Sequence, residues 1–196
     1  MPRPKQRTPE LRDRVLRVAV STLNQDGLSG FTTRRVAEQA GTSVPAVYEL
    51  FGDKSGLVRA VFFEGFRMLG RRLLAVPETD DAVADVQRLI PVFRRFCLDY
   101  PALARVMFSR PFQDFDPGPE ELAASPSVRE IFVSRIKRCI VTGLLTGDPV
   151  DIAHVLLALA QGLAVQEGGR WLGKSKASVN RRWEVGVTGI LRGFAR

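Results

Sequence analysis

Phe31-Thr-Thr-Arg-Arg-Val-Ala-Glu-Gln-Ala-Gly41-Thr-Ser43-Val-Pro-Ala-Val-Tyr-Glu-Leu-Phe51-Gly-Asp-Lys54 decides how this 196-residue chain is read. Thr32 or Thr33 can cap a helix, because a hydroxyl oxygen accepts one of the backbone N–H groups that a first turn leaves without an intrahelical partner. Val36, Ala37 and Ala40 then recur at the spacing of one helical face, and Gly41 breaks it. Ser43 can cap a second helix, with Pro45 tolerated in its first turn, Val47, Leu50 and Phe51 as its apolar side, and Gly52 as its stop. Two short helices joined by a tight Gly-Thr-Ser turn predict a helix-turn-helix.

In such a unit the second helix enters the DNA major groove with its N-terminal residues toward the base edges, while the first crosses the backbone. The groove-facing candidates are Val44, Pro45, Ala46 and Glu49. The first three carry no hydrogen-bonding side chain, so direct readout leans on contact with thymine methyls and on Glu49 accepting from cytosine. Arg34 and Arg35, at the start of the preceding helix, are therefore expected to share the base or phosphate reading. The alternative is that both are solvated surface charges.

Thr32-Thr33, Val36-Ala37, Ala40-Gly41, Ser43, Val47-Tyr48, Phe51, Lys54 and Leu57 resemble, in order and spacing, the N-terminal signature of the tetracycline-repressor (TetR) family of bacterial transcription regulators, over roughly residues 10–66. The resemblance implies phosphate contacts by the threonine that starts the first motif helix, by the tyrosine, and by the lysine after the second helix. These roles fall on Thr33, Tyr48 and Lys54. Hydroxyls, helix N-termini and ammonium groups are the usual backbone-positioning groups. The rest of the chain also resembles the subgroup with a Trp-x-x-x-His-Gly (WHG-type) pattern in its C-terminal domain. Tyr100-Pro101-Ala102-Leu103, Met107-Phe108, Gly147-Asp148-Pro149 and Gly162 echo it. Leu157 and Gln161 stand where the pattern has Trp and His, so no role of those two residues carries over.

Composition bounds the remainder. An apolar content of 45% with little low-complexity sequence predicts a packed globule. The net charge is +8, and residues 1–72 hold 13 Lys/Arg against 7 Asp/Glu, so most of the excess sits with the motif. A basic N-terminal third favours phosphates, with an affinity that falls steeply with salt; acidic lipid is the competing partner. Cys97 and Cys139 are too few for a disulfide scaffold or a four-ligand zinc site and read as reduced core thiols, with a redox pair as the alternative. The first twenty residues lack the apolar core of a signal peptide, and the longest apolar run, 152–165, is too short to span a bilayer. A cytoplasmic protein without membrane partners is the expectation. His154 is the only histidine, no Gly-rich loop follows a strand, and the acids lack metal-ligand spacing, so neither an enzyme nor a cofactor is expected.

In chain order, Met1–Arg7 is a basic arm carrying Arg3, Lys5 and Arg7, able to follow the DNA backbone or to remain solvated. Thr8 caps a helix with Pro9 at its first position and an apolar stripe of Leu11, Val15, Val18, Ala19, Thr22 and Leu23 up to Gly27. Leu28 and Phe31 are expected to plug the three-helix core. Asp53 caps a fourth helix running to about Ala75, in which Gly65 and Gly70 either permit a close helix approach or reflect ordinary packing tolerance. Helices follow up to Tyr100-Pro101 and from Leu103 to Phe108, then a loop from Phe112 to Pro126. Three further helical stretches run from Val128 to Gly143, from Val150 past Val165, and from Val179 to Phe194. The segment 152–165 is apolar almost all round, which a monomeric surface helix is not.

The expected fold is all-α, with a helix-turn-helix DNA-binding domain over 1–56 and a helical regulatory and dimerisation domain over 57–196. The resemblance implies a homodimer through the last two helices. It also implies double-stranded DNA bound at an inverted-repeat operator, and a small-molecule effector that releases it. Phe93, Phe96, Tyr100, Met107, Phe108, Gln161 and Trp171 are the candidate effector-lining residues, against the plainer reading that they are core. Two other functions stay open at this point: a ligand-independent regulator or activator, and a sequence-tolerant nucleoid-type binder.

Overall fold

The computed structural model describes residues 8–109 and 119–196, with side chains at 8–108 and 128–196. The arm Met1–Arg7 and the aromatic pair Phe112 and Phe115 lie outside the described residues. Helices run α1 Pro9–Gly30, α2 Thr33–Gln39, α3 Val44–Phe51, α4 Lys54–Leu74, α5 Ala82–Asp99, α6 Pro101–Ser109, α7 Pro119–Val141, α8 Pro149–Gly168 and α9 Lys176–Gly193. The only strand-like pairing among the described residues is an isolated antiparallel bridge between Leu145 and Ala195. The all-α expectation holds. The chain divides into two compact units, Met1–Phe66 with Tyr100–Leu122, and Arg67–Asp99 with Ala123–Arg196; α4 runs through the boundary.

In the first unit, the Thr8 side chain accepts the Leu11 amide and Pro9 occupies the first turn of α1. Leu11, Val15, Ala19, Val20 and Leu23 form its buried stripe. Gly27, at φ +68°, interrupts α1 where a helix stop is expected, because residues with a β-carbon rarely take that conformation. Phe31 is buried and Leu28 half-buried, as expected of plugs. Thr22, fully buried, donates its hydroxyl to Oε1 of the exposed Gln39 at 2.5 Å, so α1 and α2 share a polar contact at the edge of the apolar core. Gly65 is a real close approach: a β-carbon there would stand 2.5 Å from Met107 Sδ. Gly70 meets nothing within 4 Å, which leaves packing tolerance as its reading.

The second unit is held by two ionic nodes that periodicity could not show. Asp85 on α5 is fully buried and accepts from Thr79 N and Thr79 Oγ1, both at 2.9 Å, from Arg138 Nη1 at 2.7 Å, and from Arg88. Arg135 and Arg138 of α7 also donate to the Val76 and Thr79 carbonyls, both at 2.6 Å, tying the turn after α4 to α7. Burial alone would raise the Asp85 pKa, but the hydrogen bonds from Thr79 and Arg138 and the charge of Arg88 together bring it well below the ordinary carboxylate range. The second node is Glu167 on α8. It takes a two-pronged contact from Arg94 (2.6 and 2.7 Å) and the Trp183 indole N–H at 2.8 Å, while Arg94 lies over the Trp183 ring. One carboxylate thus joins α5, α8 and α9.

Two expectations need correction. Residues 119–126, expected within a loop, are helical; α7 begins at Pro119, where proline suits a first turn, and continues through Pro126. His154 is exposed: its Nδ1 sits 3.0 Å from the Val150 carbonyl and its Nε2 3.4 Å from Arg129 Nη1. The apolar run 152–165 is part of a 20-residue helix, α8, which by length and composition alone is long and apolar enough to cross a membrane. The flanking turns, not counted in the run, supply the extra length. Val150, Val155 and Val165 of α8 are exposed. Both cysteines are buried and unpaired, and burial raises both thiols, Cys97 to about 12, which fits inert core residues.

Candidate nucleic-acid interface

The two motif helices form as their caps dictate. Thr32 Oγ1 accepts Arg35 N at 3.2 Å, and Ser43 Oγ accepts Ala46 N at 3.3 Å. Gly41 (φ +65°) and Gly52 (φ +85°) close α2 and α3 in the left-handed region that glycine takes without strain. Val36, Ala37, Ala40 and Val47 are buried, so each helix has one side anchored in the core. Arg12 of α1 lies over the Phe51 ring, 5.1 Å from its centre, which steadies the end of α3.

This anchoring leaves an outward face. Pro45, Tyr48 and Glu49 of α3 are exposed and Val44 and Ala46 half-exposed; Ser43 and Lys54 flank them, also exposed. Tyr48 is 42% exposed although its ring is large and apolar. At the start of α2, Thr32 is exposed, whereas Thr33 is only 7% exposed and contributes to the core side of the helix. A phosphate role for the threonine pair therefore suits Thr32 better by exposure, although its hydroxyl already caps α2.

The two arginines differ. Arg34, 84% exposed, pairs with Glu38 at 2.9 Å, a surface pair of the kind that contributes little. Arg35 is gripped at two points by Asp26: Nε to Oδ2 at 2.5 Å and Nη2 to Oδ1 at 3.0 Å. Asp26 carries no motif, lies nine residues away, and follows from no periodicity, so sequence alone could not single it out.

The candidate effector-lining residues fall in both units. Phe93 and Phe96 are fully buried in the second unit, where Gln161 is half-buried and Trp171 stands 82% exposed in the turn after α8. In the first unit Met107 is buried and Tyr100 and Phe108 half-buried, with Phe108 edge-on to Phe66 at 5.8 Å. No group of three or more acids, cysteines and histidine that could hold a metal occurs among the described residues.

Residues 15–61 match the family model described as bacterial regulatory proteins, tetR family, and residues 86–190 match a tetracyclin repressor-like C-terminal domain. The tetracycline repressor protein class C of Escherichia coli is 34% identical over 95 residues, 48% of this chain and 43% of that one. The matched stretch thus spans less than half the length of that curated relative. A Rhodococcus sp. RHA1 protein of unknown function is similar over 99% of this chain and 100% of its own, at 26% identity and TM-score 0.82. The Streptomyces coelicolor TetR family protein ActR, solved with (S)-DNPA, matches over 93% and 95% at TM-score 0.64; at 20% identity it speaks for the fold.

Proposed function

We propose that this chain, which belongs to the tetR family of bacterial regulatory proteins, acts as a homodimeric, sequence-specific repressor that leaves its operator when a small molecule occupies the C-terminal domain. The observation that carries this reading is α3: capped at Ser43, anchored by Val47, and presenting Pro45, Tyr48 and Glu49 outward beside an exposed Arg34. That is the geometry by which a recognition helix meets a major groove. We assign DNA reading to 1–56 and effector binding and dimerisation to 57–196, in a cytoplasmic protein. The exposed valines of α8 supply an apolar surface for a twin helix, which also accounts for that helix's membrane-like composition.

Release requires that the effector bind the operator-incompetent conformation better than the operator-bound one; equal affinity for both would shift nothing. Phe93 and Phe96, wholly inside the second unit, support an apolar interior as the place of binding, and ActR's complex with (S)-DNPA supports an organic effector.

A second reading, a sequence-tolerant binder, draws on the absence of hydrogen-bonding side chains at Val44, Pro45 and Ala46 and on the engagement of Arg35 by Asp26. Selection from randomised duplex DNA at stated salt separates the two. An enriched inverted repeat with half-sites about one helical turn apart, or a multiple of it, supports the repressor. Enrichment of base composition alone supports the other.

A further inference from the structure

We infer that Asp26 is a specificity-determining positioning residue: its carboxylate holds the Arg35 guanidinium by one edge and presents the opposite edge as a directional, charge-compensated donor for DNA. The inference rests on the DNA-regulator reading above. Arg35 engages Asp26 through Nε and one Nη2 hydrogen. Guanidinium is planar and carries five donors, so this leaves the Nη1–Nη2 edge, whose two parallel N–H groups match guanine O6/N7 or two phosphate oxygens. Side-chain exposure is 51% at Arg35 and 22% at Asp26, so the carboxylate that holds is the more sheltered of the two and the guanidinium it holds faces solvent.

The turn Gly27-Leu28-Ser29-Gly30 accounts for the placement of the carboxylate. Gly27 breaks α1 at φ +68° directly after Asp26. A β-carbon at Gly30 would stand 2.5 Å from Asp26 Cβ, so the turn closes tightly over this residue and a side chain at 30 would displace it. Because Asp26 offsets the Arg35 charge, the pair adds little to general attraction for the phosphate backbone. What it adds is orientation, and orientation discriminates between sequences. Among the described residues Arg34 has no comparable two-pronged support, only an exposed contact from Nε to Glu38.

The sign of the test separates orientation from charge. Asp26→Asn removes a negative charge next to DNA, which by electrostatics alone tightens binding to every duplex; the inference requires that the operator-to-scrambled affinity ratio nevertheless fall. Affinities of the full-length protein for the selected operator and a scrambled duplex, measured over a salt series, are expected to show a ratio narrowed by roughly fivefold or more, the lower range for loss of a two-pronged base contact. Scrambled-duplex binding tightens and its salt slope steepens. Arg35→Lys, which keeps the charge and loses the fork, narrows the ratio as well, and adding Asp26→Asn to it narrows the ratio no further. Gly30→Ala, which retains the carboxylate but shifts it, narrows the ratio without tightening scrambled-duplex binding; thermal melts identify any variant that fails to fold, and Arg35→Lys then carries the test. An unchanged ratio in Asp26→Asn or Arg35→Lys, with the wild type discriminating normally, overturns this inference alone. A wild type that does not discriminate overturns the regulator reading and this inference with it.

Discussion

Replacing Tyr48 by phenylalanine deletes one oxygen from the outward face of α3. The ring is 42% exposed, and no hydrogen bond to its hydroxyl occurs among the described residues, so the folded monomer loses no internal contact. On DNA the hydroxyl would donate to a phosphate oxygen, a charged acceptor, worth about 1.5 kcal/mol net. In the proposed homodimer two reading heads make this roughly 3 kcal/mol, or on the order of a hundredfold in Kd. Fluorescence anisotropy on operator and scrambled duplexes over a salt series checks it: both affinities fall by the same factor, while the salt slope stays constant because no charge has been removed. The melting temperature of the free protein is unchanged. A loss confined to the operator would make Tyr48 a base reader, and no loss on either duplex would refute its placement at the backbone.

Three further outcomes follow from the same geometry. Ser43→Ala removes the acceptor for Ala46 N and lowers stability by about 1 kcal/mol in a denaturant titration, while weakening operator binding through fraying of the first turn of α3 rather than loss of a contact. Gly65→Ala places a methyl against Met107 and Leu103; despite a better helix propensity it destabilises by about 1–2 kcal/mol, and a double-mutant cycle with Met107→Ala shows the two changes coupled. Asp85→Asn lowers the melting temperature, because Arg88, Arg135 and Arg138 lose their shared counter-charge. Since the folded-state pKa of Asp85 lies below the unfolded value near 3.8, its contribution is present above that pH and fades as the pH falls below it. The variant should therefore show a shallower acid limb than the wild type in melts from pH 5 to pH 2, and a parallel limb would refute the assignment.

Much of the fold was legible in the chain because its signals are local. Thr8, Thr32, Ser43 and Asp53 accept first-turn amides where a hydroxyl or carboxylate precedes an apolar stripe, and Gly27, Gly41 and Gly52 stop helices where only glycine takes a positive φ cheaply. Periodicity also separated the anchored from the outward side of α3, leaving Pro45, Tyr48 and Glu49 exposed. Boundaries failed where the signals conflict: Pro119 and Pro126 suggest a loop by composition, yet a proline sits at the first position of α7.

What the sequence could not supply was partnership between side chains far apart in the chain. Asp26 and Arg35, Asp85 and Arg138, and Arg94 and Glu167 are separated by 9, 53 and 73 residues. A charge reads in sequence as a solvated group until packing brings its counter-charge within about 3 Å and removes the water between them. Sequence therefore determined that this chain is all-α and carries two short motif helices joined by a tight turn, because caps, breaks and stripes act over a few residues. Tertiary structure decided which of its arginines are held and by which carboxylate, because a buried or two-pronged ion pair exists only after distant helices have packed.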